Sequence, residues 1–275
     1  MSEPAGVARR PVLRRAGARV VAGEDAVAVE EPLEIRIGDR PIAVTMRTPG
    51  SDEELAAGFC LTEAILERTD DLVGIEPCTV AEYGNVVVVE LSESAAPRHA
   101  ARVERARREL YVSSSCGLCG KESIDRVAQE VSALPAGFFV SPGVLSSLPA
   151  RMRRAQDAFA ATGGLHAAAL FDADGDLRVL REDVGRHNAV DKVIGHEVLL
   201  GRLPIGDGVL LVSGRASFEI VQKAAMGGVP VVCAVSAPSS LAVDLATRLQ
   251  VTLVAFLRGD RMNVYTDGPG RVVGA

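Results

Sequence analysis

The last third of the chain is the part of the sequence that most restricts its fold. Aliphatic runs short enough for strands alternate there with segments of helical character: GVLLVSG, RASFEIVQKAAMGG, VPVVCAVSA, PSSLAVDLATRLQ and VTLVAFLRGDRMNVYT. The strands are apolar on successive residues, which is typical of strands covered by helices on both faces. A strand–helix–strand–helix–strand order requires parallel strands and right-handed crossovers. The sequence therefore predicts an α/β fold with a C-terminal βαβαβ parallel unit.

Polar residues follow each strand of this unit. The carboxyl ends of parallel strands meet at one edge of a sheet, where ligands of open α/β folds dock. Helix N-termini bind phosphate well, and arginines can clamp it. Capping of the helices alone would also explain the serines. We interpret the following residues as candidates for binding an anionic ligand: Ser213, Gly214, Arg215, Ser236, Ser239, Ser240, Arg258 and Arg261.

The rest of the chain divides by composition. We predict a basic flexible tail over residues 1–25, an N-terminal β-rich subdomain over 26–110, a mobile loop over 111–122 and an α/β domain over 123–270. Period-2 alternation in LEIRIGDRPIAVTM predicts a strand–turn–strand unit. Ser51 with Glu54 three residues later matches a capping box, which predicts a helix starting there.

Composition excludes several classes of protein. A chain of 275 residues is long enough for one large domain or two modest ones. Its formal net charge of −6 argues against a protein that coats nucleic acid. No apolar run reaches the roughly 18 residues that a transmembrane helix needs. Five cysteines at this length do not suggest a secreted disulfide framework, so we expect a cytoplasmic protein.

Cys116 and Cys119 stand in SSSCGLCGK, a run of serines and glycines that predicts a loop. A structural zinc site commonly needs a second such pair, and a thioredoxin-type pair belongs after the first strand of a βαβ unit. Neither context is present. A sulfur-carrying thiol needs exposure and a lowered pKa, which Lys121 and the loop amides would favour. Two incidental loop cysteines remain an alternative. The other three cysteines fit small buried hydrophobes: Cys60, Cys78 and Cys233.

TGGLHAAAL places His166 at the start of a predicted strand. Zinc-dependent deaminases carry His-x-Glu at such a position and a Pro-Cys-x-x-Cys later in the chain. This chain has Ala168 in place of the glutamate, and its cysteine pair comes before the histidine. We therefore expect no deaminase chemistry and interpret His166 as a hydrogen-bonded core histidine.

REDVGRHNAVDKVIG concentrates polar side chains at the start of a predicted helix. His187 and Asp191 are i,i+4 neighbours on one face of that helix, so the carboxylate could orient the imidazole for acid–base work. The alternative is a solvated helix start that Asp183 caps. The density of polar groups beside small residues favours a lined pocket or an interface.

A set of motifs in chain order resembles the formate dehydrogenase accessory sulfurtransferase family, FdhD. The motifs are SSSCGLCGK, TGGLHAAAL, REDVGRHNAVDKVIG, SGRASFEIVQKAAMGGVPVV, SAPSSLAVDLA and FLRGDRMNVYT. RTPGSDEELAAGF is also similar to the N-terminal half of that family. Each motif is weak alone, but their combination is specific. The resemblance covers roughly residues 30–267 and leaves the first 25 residues outside.

The resemblance implies a cytidine-deaminase-like three-layer sandwich and a homodimer. It also implies a sulfur carrier that takes sulfur from a cysteine desulfurase as a cysteine persulfide. The sulfur would pass to the molybdenum cofactor, bis-molybdopterin guanine dinucleotide, before the cofactor enters formate dehydrogenase. The implied partners are the desulfurase and the formate dehydrogenase catalytic subunit. Net charge, the lack of a long apolar run and the lack of a second cysteine pair predict no nucleic acid, no membrane and no structural metal.

Carried onto this sequence, the persulfide site is the loop of Cys116 and Cys119, with Cys116 as the expected main carrier. Cofactor binding maps to one short segment: Phe256, Leu257, Arg258, Gly259, Asp260 and Arg261. Three alternatives stay open at this point. The chain could be a cofactor-binding chaperone without sulfur transfer, a thiol–disulfide oxidoreductase or a zinc hydrolase of the deaminase class.

Overall fold

The computed structural model describes residues 4, 6–78, 84–93, 102–104 and 131–274. The predicted loop over residues 111–122, with Cys116 and Cys119, lies outside the described residues. Within the described ranges, no helix is both long and apolar enough to cross a membrane.

The described elements follow one another in mixed order. The strands are β1 (Val7–Ala16), β2 (Arg19–Ala28), β3 (Glu31–Ile37), β4 (Arg40–Arg47), β5 (Leu72–Pro77), β6 (Val86–Leu91), β7 (His166–Phe171), β8 (Leu177–Asp183), β9 (Val209–Val212), β10 (Val231–Ala234), β11 (Thr252–Arg258) and β12 (Arg261–Thr266). The α-helices are α1 (Asp52–Thr62), α2 (Pro142–Arg154), α3 (Asp157–Thr162), α4 (Arg186–Leu199), α5 (Phe218–Met226) and α6 (Ser240–Arg248). A short 3-10 turn spans Thr69–Asp71.

A six-stranded sheet in the order β12-β11-β10-β9-β7-β8 forms the centre of the C-terminal half. Strands β9, β10 and β11 are parallel, with Leu210 paired to Val232 and Val232 paired to Leu253. Helix α5 joins β9 to β10 and α6 joins β10 to β11, which confirms the predicted βαβαβ unit. Strands β7, β8 and β12 add antiparallel partners at the two sides.

The side chains of this sheet alternate between two hydrophobic layers, because successive residues of a strand point to opposite faces. Ala168, Leu210 and Val232 belong to the cluster that also contains buried residues of α1, α4, α5 and α6. Ala169, Leu211 and Cys233 face the other way, against Leu145, Leu148 and Met152 of α2. The result is a helix–sheet–helix arrangement. The specific likeness to cytidine deaminases stays a prediction.

The N-terminal strands form a second sheet in the order β4-β3-β6-β5, consistent with the predicted β-rich part. Its buried Leu33 and Val87 share one hydrophobic cluster with α1 and α4, so the core is continuous between the two sheets. Two glycines allow α1 and α4 to approach closely. A Cβ at Gly58 would lie 1.9 Å from the Asp191 carbonyl oxygen, and one at Gly195 would lie 1.8 Å from the Glu54 carbonyl oxygen.

The prediction of a basic flexible tail at the start of the chain is wrong for most of its length. Strands β1 and β2 pair as an antiparallel hairpin, with Val7 opposite Ala28 and Ala16 opposite Arg19. The turn contains Gly17 at a φ of 59°, a left-handed value that favours glycine. In the sequence, Gly17 was the local signal for a turn. The proposed domain boundaries themselves stay a prediction.

The predicted capping box at the start of α1 is also wrong. Ser51 lies in the left-handed region with a φ of 56°, and its side chain makes no capping hydrogen bond. The Glu54 carboxylate instead accepts two hydrogen bonds of 2.5 Å from Arg181, and it lies 3.0 Å from Nδ1 of His196. Burial raises the pKa of Glu54, but the bonds to Arg181 and His196 outweigh it and hold the pKa below its ordinary value. Glu54 therefore ties α1 to β8 and α4.

Candidate functional site

The carboxyl ends of β9, β10 and β11 meet at one edge of the central sheet, and their loops bond to one another there. The Ser236 amide donates to the Gly214 carbonyl at 3.3 Å, and the Phe256 amide donates to the Ser236 carbonyl at 3.1 Å. The Ser239 amide donates to the Ala216 carbonyl at 3.0 Å. The structure thus brings together the three segments that the sequence selected as candidates for anion binding. That they bind a ligand stays a prediction.

Three helices begin at this edge, and each directs its N-terminal amides toward it. Helix α5 follows Ser217, α6 follows Ser239, and α4 begins at Arg186. The hydroxyl of Ser239 accepts a hydrogen bond from the Ala242 amide at 3.2 Å, so this serine does cap its helix. The positive ends of helix dipoles favour negatively charged groups nearby. The edge is therefore suited electrostatically to an anion.

His166 joins the edge because β7 runs antiparallel to β9. The Ser213 hydroxyl accepts a hydrogen bond from the Ala167 amide at 2.9 Å. A Cβ at Gly214 would lie 3.6 Å from Nδ1 of His166, so the imidazole lies directly against this glycine. Burial lowers the pKa of His166, and the positive charge of Arg186 lowers it further. Half-buried His166 therefore borders the candidate site as a neutral ring.

The segment at the end of β11 and in the turn to β12 places its side chains in different surroundings. Phe256 has a φ of 53° at an irregularity of β11, and its ring is 39% exposed at the edge. Leu257 is fully buried, on the side of the sheet that α2 covers. Arg258 donates from Nε to the Val235 carbonyl at 3.3 Å. Asp260 lies in the exposed turn to β12. Phe256 and Arg258 can thus meet a ligand, whereas Leu257 supports the strand.

The predicted pairing of Asp191 with His187 is wrong. The Asp191 carboxylate lies 2.9 Å from Lys223 Nζ and accepts a hydrogen bond of 2.8 Å from the Thr62 hydroxyl. Nε2 of His187 lies 3.5 Å from the Ser217 hydroxyl and 3.9 Å from Glu219. Asp191 is buried, so its carboxylate requires the Lys223 charge. The i,i+4 spacing could not reveal partners that come from α1 and α5.

His187 occupies a distinct position at the first turn of α4. Nε of Arg186 lies 3.4 Å from its Nε2, and Lys223 lies near enough to act on its charge. Burial lowers the pKa of His187, and the positive charges of Lys223 and Arg186 add to that effect. The ring is therefore neutral at pH 7 and can accept a proton at the site edge.

The turn that leads into α4 is fixed by a fully buried carboxylate. Asp183 lies 2.7 Å from Lys192 Nζ and accepts hydrogen bonds from the amides of Thr48 at 3.1 Å and Gly185 at 2.8 Å. The Asn188 side-chain amide donates to it at 3.0 Å. Sequence reasoning offered Asp183 as a helix cap but missed Thr48 and Lys192. These contacts hold the start of α4, and therefore Arg186 and His187, against the N-terminal sheet.

Two of the described cysteines, Cys60 and Cys233, are buried and are therefore poor nucleophiles. Burial raises the pKa of the Cys60 thiol to about 12, with Asp191 and Glu63 adding to the effect. Burial also raises the pKa of Cys233. Both are therefore protonated at neutral pH, consistent with the interpretation of small buried hydrophobes. Cys78 is partly exposed at the end of β5.

The fold and the edge define a class: a mixed α/β protein whose parallel strands end in loops rich in serine and arginine, beside the starts of three helices. The chain belongs to the FdhD/NarQ family, whose family model matches residues 28–273. The resemblance inferred from the motifs is thereby confirmed.

Relatives in several bacteria are similar over nearly the whole chain. The "Sulfur carrier protein FdhD" of Mycobacterium tuberculosis is 50% identical over 269 residues, covering 94% of this chain and 96% of that protein. The protein of the same name from Anaeromyxobacter dehalogenans is 48% identical over 275 residues, covering 96% of this chain and 94% of that protein.

A solved structure has the same fold. The crystal structure of a protein named as a formate dehydrogenase accessory protein, from Desulfotalea psychrophila, superimposes with a TM-score of 0.77 at 25% sequence identity. The match covers 97% of this chain and 99% of that chain.

Proposed function

We propose that this chain is a sulfur carrier required for formate dehydrogenase activity. It accepts sulfur from a cysteine desulfurase as a persulfide on the loop of Cys116 and Cys119. It then transfers that sulfur to bis-molybdopterin guanine dinucleotide before the cofactor enters formate dehydrogenase. The observation that carries the proposal is 50% identity, over 94% of this chain, to a relative named sulfur carrier protein.

The first chemical step is an exchange between sulfur atoms. The Cys116 thiolate attacks the outer sulfur of the donor's persulfide, so a new S–S bond forms while the donor's S–S bond breaks. The donor cysteine leaves as a thiolate, and no external oxidant is consumed. Buried, protonated Cys60 and Cys233 cannot make this attack. Their inertness leaves Cys78 and the two loop cysteines, and of these the loop pair lies in the motif that resembles the family.

The candidate edge supplies what a guanine dinucleotide would need. Arg215 and Arg258 can pair with its phosphates, and the amides at the starts of α5 and α6 can donate to them. The exposed ring of Phe256 offers a flat apolar surface for a base. The cofactor is cargo in this proposal, and no structural metal is part of it. We further propose a homodimer that works in the cytoplasm, where thiols stay reduced.

Replacement of the loop cysteines in cells tests the proposal. A bacterial strain lacking its own member of this family would carry the chain unaltered, as Cys116→Ser, as Cys119→Ser or with both changes. We expect formate dehydrogenase activity to be lost with the double change, whereas the matched Cys78→Ser control retains it. Full activity with both loop cysteines replaced would refute sulfur carriage and favour a cofactor-binding chaperone.

A further inference from the structure

The hairpin of β1 and β2, residues 7–28, is named the arm below. It forms a two-stranded sheet of its own, separate from the four-stranded and six-stranded sheets. Its side chains near the turn are unusually exposed for apolar groups: Leu13 is 71%, Val20 52% and Val21 46% exposed. Exposed apolar side chains that cluster mark a surface for another molecule more often than isolated ones do. An isolated two-stranded hairpin is also only marginally stable in water.

The arm has the opposite charge to the chain as a whole. Its five arginines stand against Glu24 and Asp25 only, which gives a net charge of +3 in a chain of net charge −6. Among the described residues, the side chains of Arg10 and Arg15 bond to backbone carbonyl oxygens of the arm itself, at 2.9 and 3.3 Å. Arg14 pairs with Asp25 at 3.2 Å, and both side chains of this pair are more than half exposed. The arm therefore presents positive charge around apolar side chains.

The base of the arm is fixed beside the candidate site. The Val29 amide donates to the Gly6 carbonyl at 2.8 Å, and Gly6 lies against the side chain of Thr48. Thr48 in turn holds the turn before α4 through its bond to Asp183. On the other side, Gly164 stands two residues before His166. A Cβ at Gly164 would lie 3.7 Å from the Cβ of Ala28. The arm thus projects from the two segments that flank the edge.

We propose that the arm is the docking surface for the protein that receives the ligand from the candidate edge. Its occupant is a protein surface that is acidic around an apolar centre, because arginines and exposed aliphatic side chains alternate along the arm. Leu13, Arg15 and Val20 lie on one face, since Arg15 is opposite Val20 and Leu13 is two residues away. The base of the arm borders the segments that flank the edge, and the docking side chains lie nearer the turn. An occupant that covers the arm from turn to base would therefore reach the ligand. This inference rests on the proposed function for the identity of the recipient.

Binding to the cofactor-free catalytic subunit of formate dehydrogenase from the same organism tests the arm. Biolayer interferometry gives the dissociation constant of the full chain, with and without Arg9→Glu and Arg15→Glu together, since both arginines lie on the same face as Leu13. We expect the double change to weaken binding at least about tenfold, since arginines at docking surfaces commonly dominate affinity. Leu13→Ser with Val20→Ser should weaken it by about as much. Raising salt from about 50 to 300 mM should weaken the unaltered chain more than the charge variant.

Matched controls separate the arm from general charge and folding. Arg202 lies just after α4 and Arg248 is the last residue of α6, and both are exposed. Arg202→Glu with Arg248→Glu therefore makes the same change in net charge outside the arm. We expect this control to bind within about twofold of the unaltered chain. Equal binding of arm and control variants would overturn the proposal, and so would absent binding by the unaltered chain.

Two further measurements distinguish failure of the docking proposal from failure of the proposed function. Sedimentation velocity would reveal an arm used for self-association: loss of a dimer in the arm variants, with binding to the subunit unchanged, overturns the proposal in favour of a second copy. Loading of sulfur onto the arm variants by a cysteine desulfurase reports the proposed function alone. Normal loading with unchanged docking would refute the arm and leave the sulfur carrier standing.

Discussion

The candidate edge and the arm both contain ion pairs, but the pair at the edge is buried and the pair on the arm is exposed to water. At the edge, the start of α4 is held by a carboxylate with no exposed surface, Asp183, and a buried ammonium, Lys192. On the arm, Arg14 pairs with Asp25 where both side chains are more than half exposed. A buried pair is costly to break because the remaining charge stays out of water, whereas an exposed pair contributes little. The comparison predicts that the edge tolerates few changes and the arm many.

The largest effect is expected from Asp183→Ala. The substitution leaves the Lys192 charge buried without its carboxylate and removes the acceptor of the Thr48, Gly185 and Asn188 bonds. We expect a loss of about 3–5 kcal/mol in the free energy of unfolding, measured by urea denaturation. Adding Lys192→Met should recover part of that loss. If the double variant lost as much free energy of unfolding as the two single variants added together, the two residues would not form a coupled buried pair.

A somewhat smaller effect is expected from Gly195→Ala. The new methyl group would collide with the Glu54 carbonyl oxygen and force α1 away from α4. Overpacking of this kind costs about 1–3 kcal/mol, and the loss should appear as a lower urea midpoint. Gly74→Ala is the control, because a Cβ at Gly74 would meet nothing within 4 Å and the φ of Gly74 is not positive. Gly201→Ala would not serve, because the φ of Gly201 is 68°. Equal stability of the Gly195 and Gly74 variants would show that the helices do not depend on this contact.

A smaller, pH-dependent effect is expected from His187. Burial, with Lys223 and Arg186, lowers its folded pKa below the unfolded value of 6.5. Below a pH of about 6.5 the unfolded chain therefore binds a proton at His187 more readily than the folded chain does. The contribution of His187 to stability falls as the pH drops below that value and is constant well above it. His187→Gln should lessen the loss of stability between about pH 7 and pH 5. Identical pH profiles of the two proteins would contradict the assigned surroundings of the ring.

The smallest effect on stability is expected on the arm. Leu13 is 71% exposed, so Leu13→Ser should change the free energy of unfolding by less than about 0.5 kcal/mol. Leu170→Ser, at a fully buried side chain of β7, is the matched change in the body of the protein and should be strongly destabilising. A large loss of stability for Leu13→Ser would mean that the arm packs against the protein rather than serving a partner.

The sequence predicted the centre of the molecule better than its flanks, for physical reasons. Uninterrupted aliphatic runs such as GVLLVSG have few alternatives to a buried parallel strand, so the βαβαβ unit could be predicted and the loops at its edge located. The contacts of Asp191 could not, because Thr62 and Lys223 are distant in sequence and local spacing carries no information about them. The hairpin of β1 and β2 was missed because its strands are rich in arginine and show no alternation of apolar and polar residues. The roles of Cys116 and Cys119 rest on the motifs and on the relatives.

The most direct test of the account is the mass of the chain after incubation with a cysteine desulfurase and cysteine. We predict a gain of about 32 Da, one sulfur atom, on the peptide that contains Cys116 and Cys119, removed by a thiol reductant. The Cys78→Ser chain should gain the same mass, and the chain with both loop cysteines replaced should gain none. An unmodified loop peptide, with the desulfurase demonstrably active, would contradict the sulfur-carrier account.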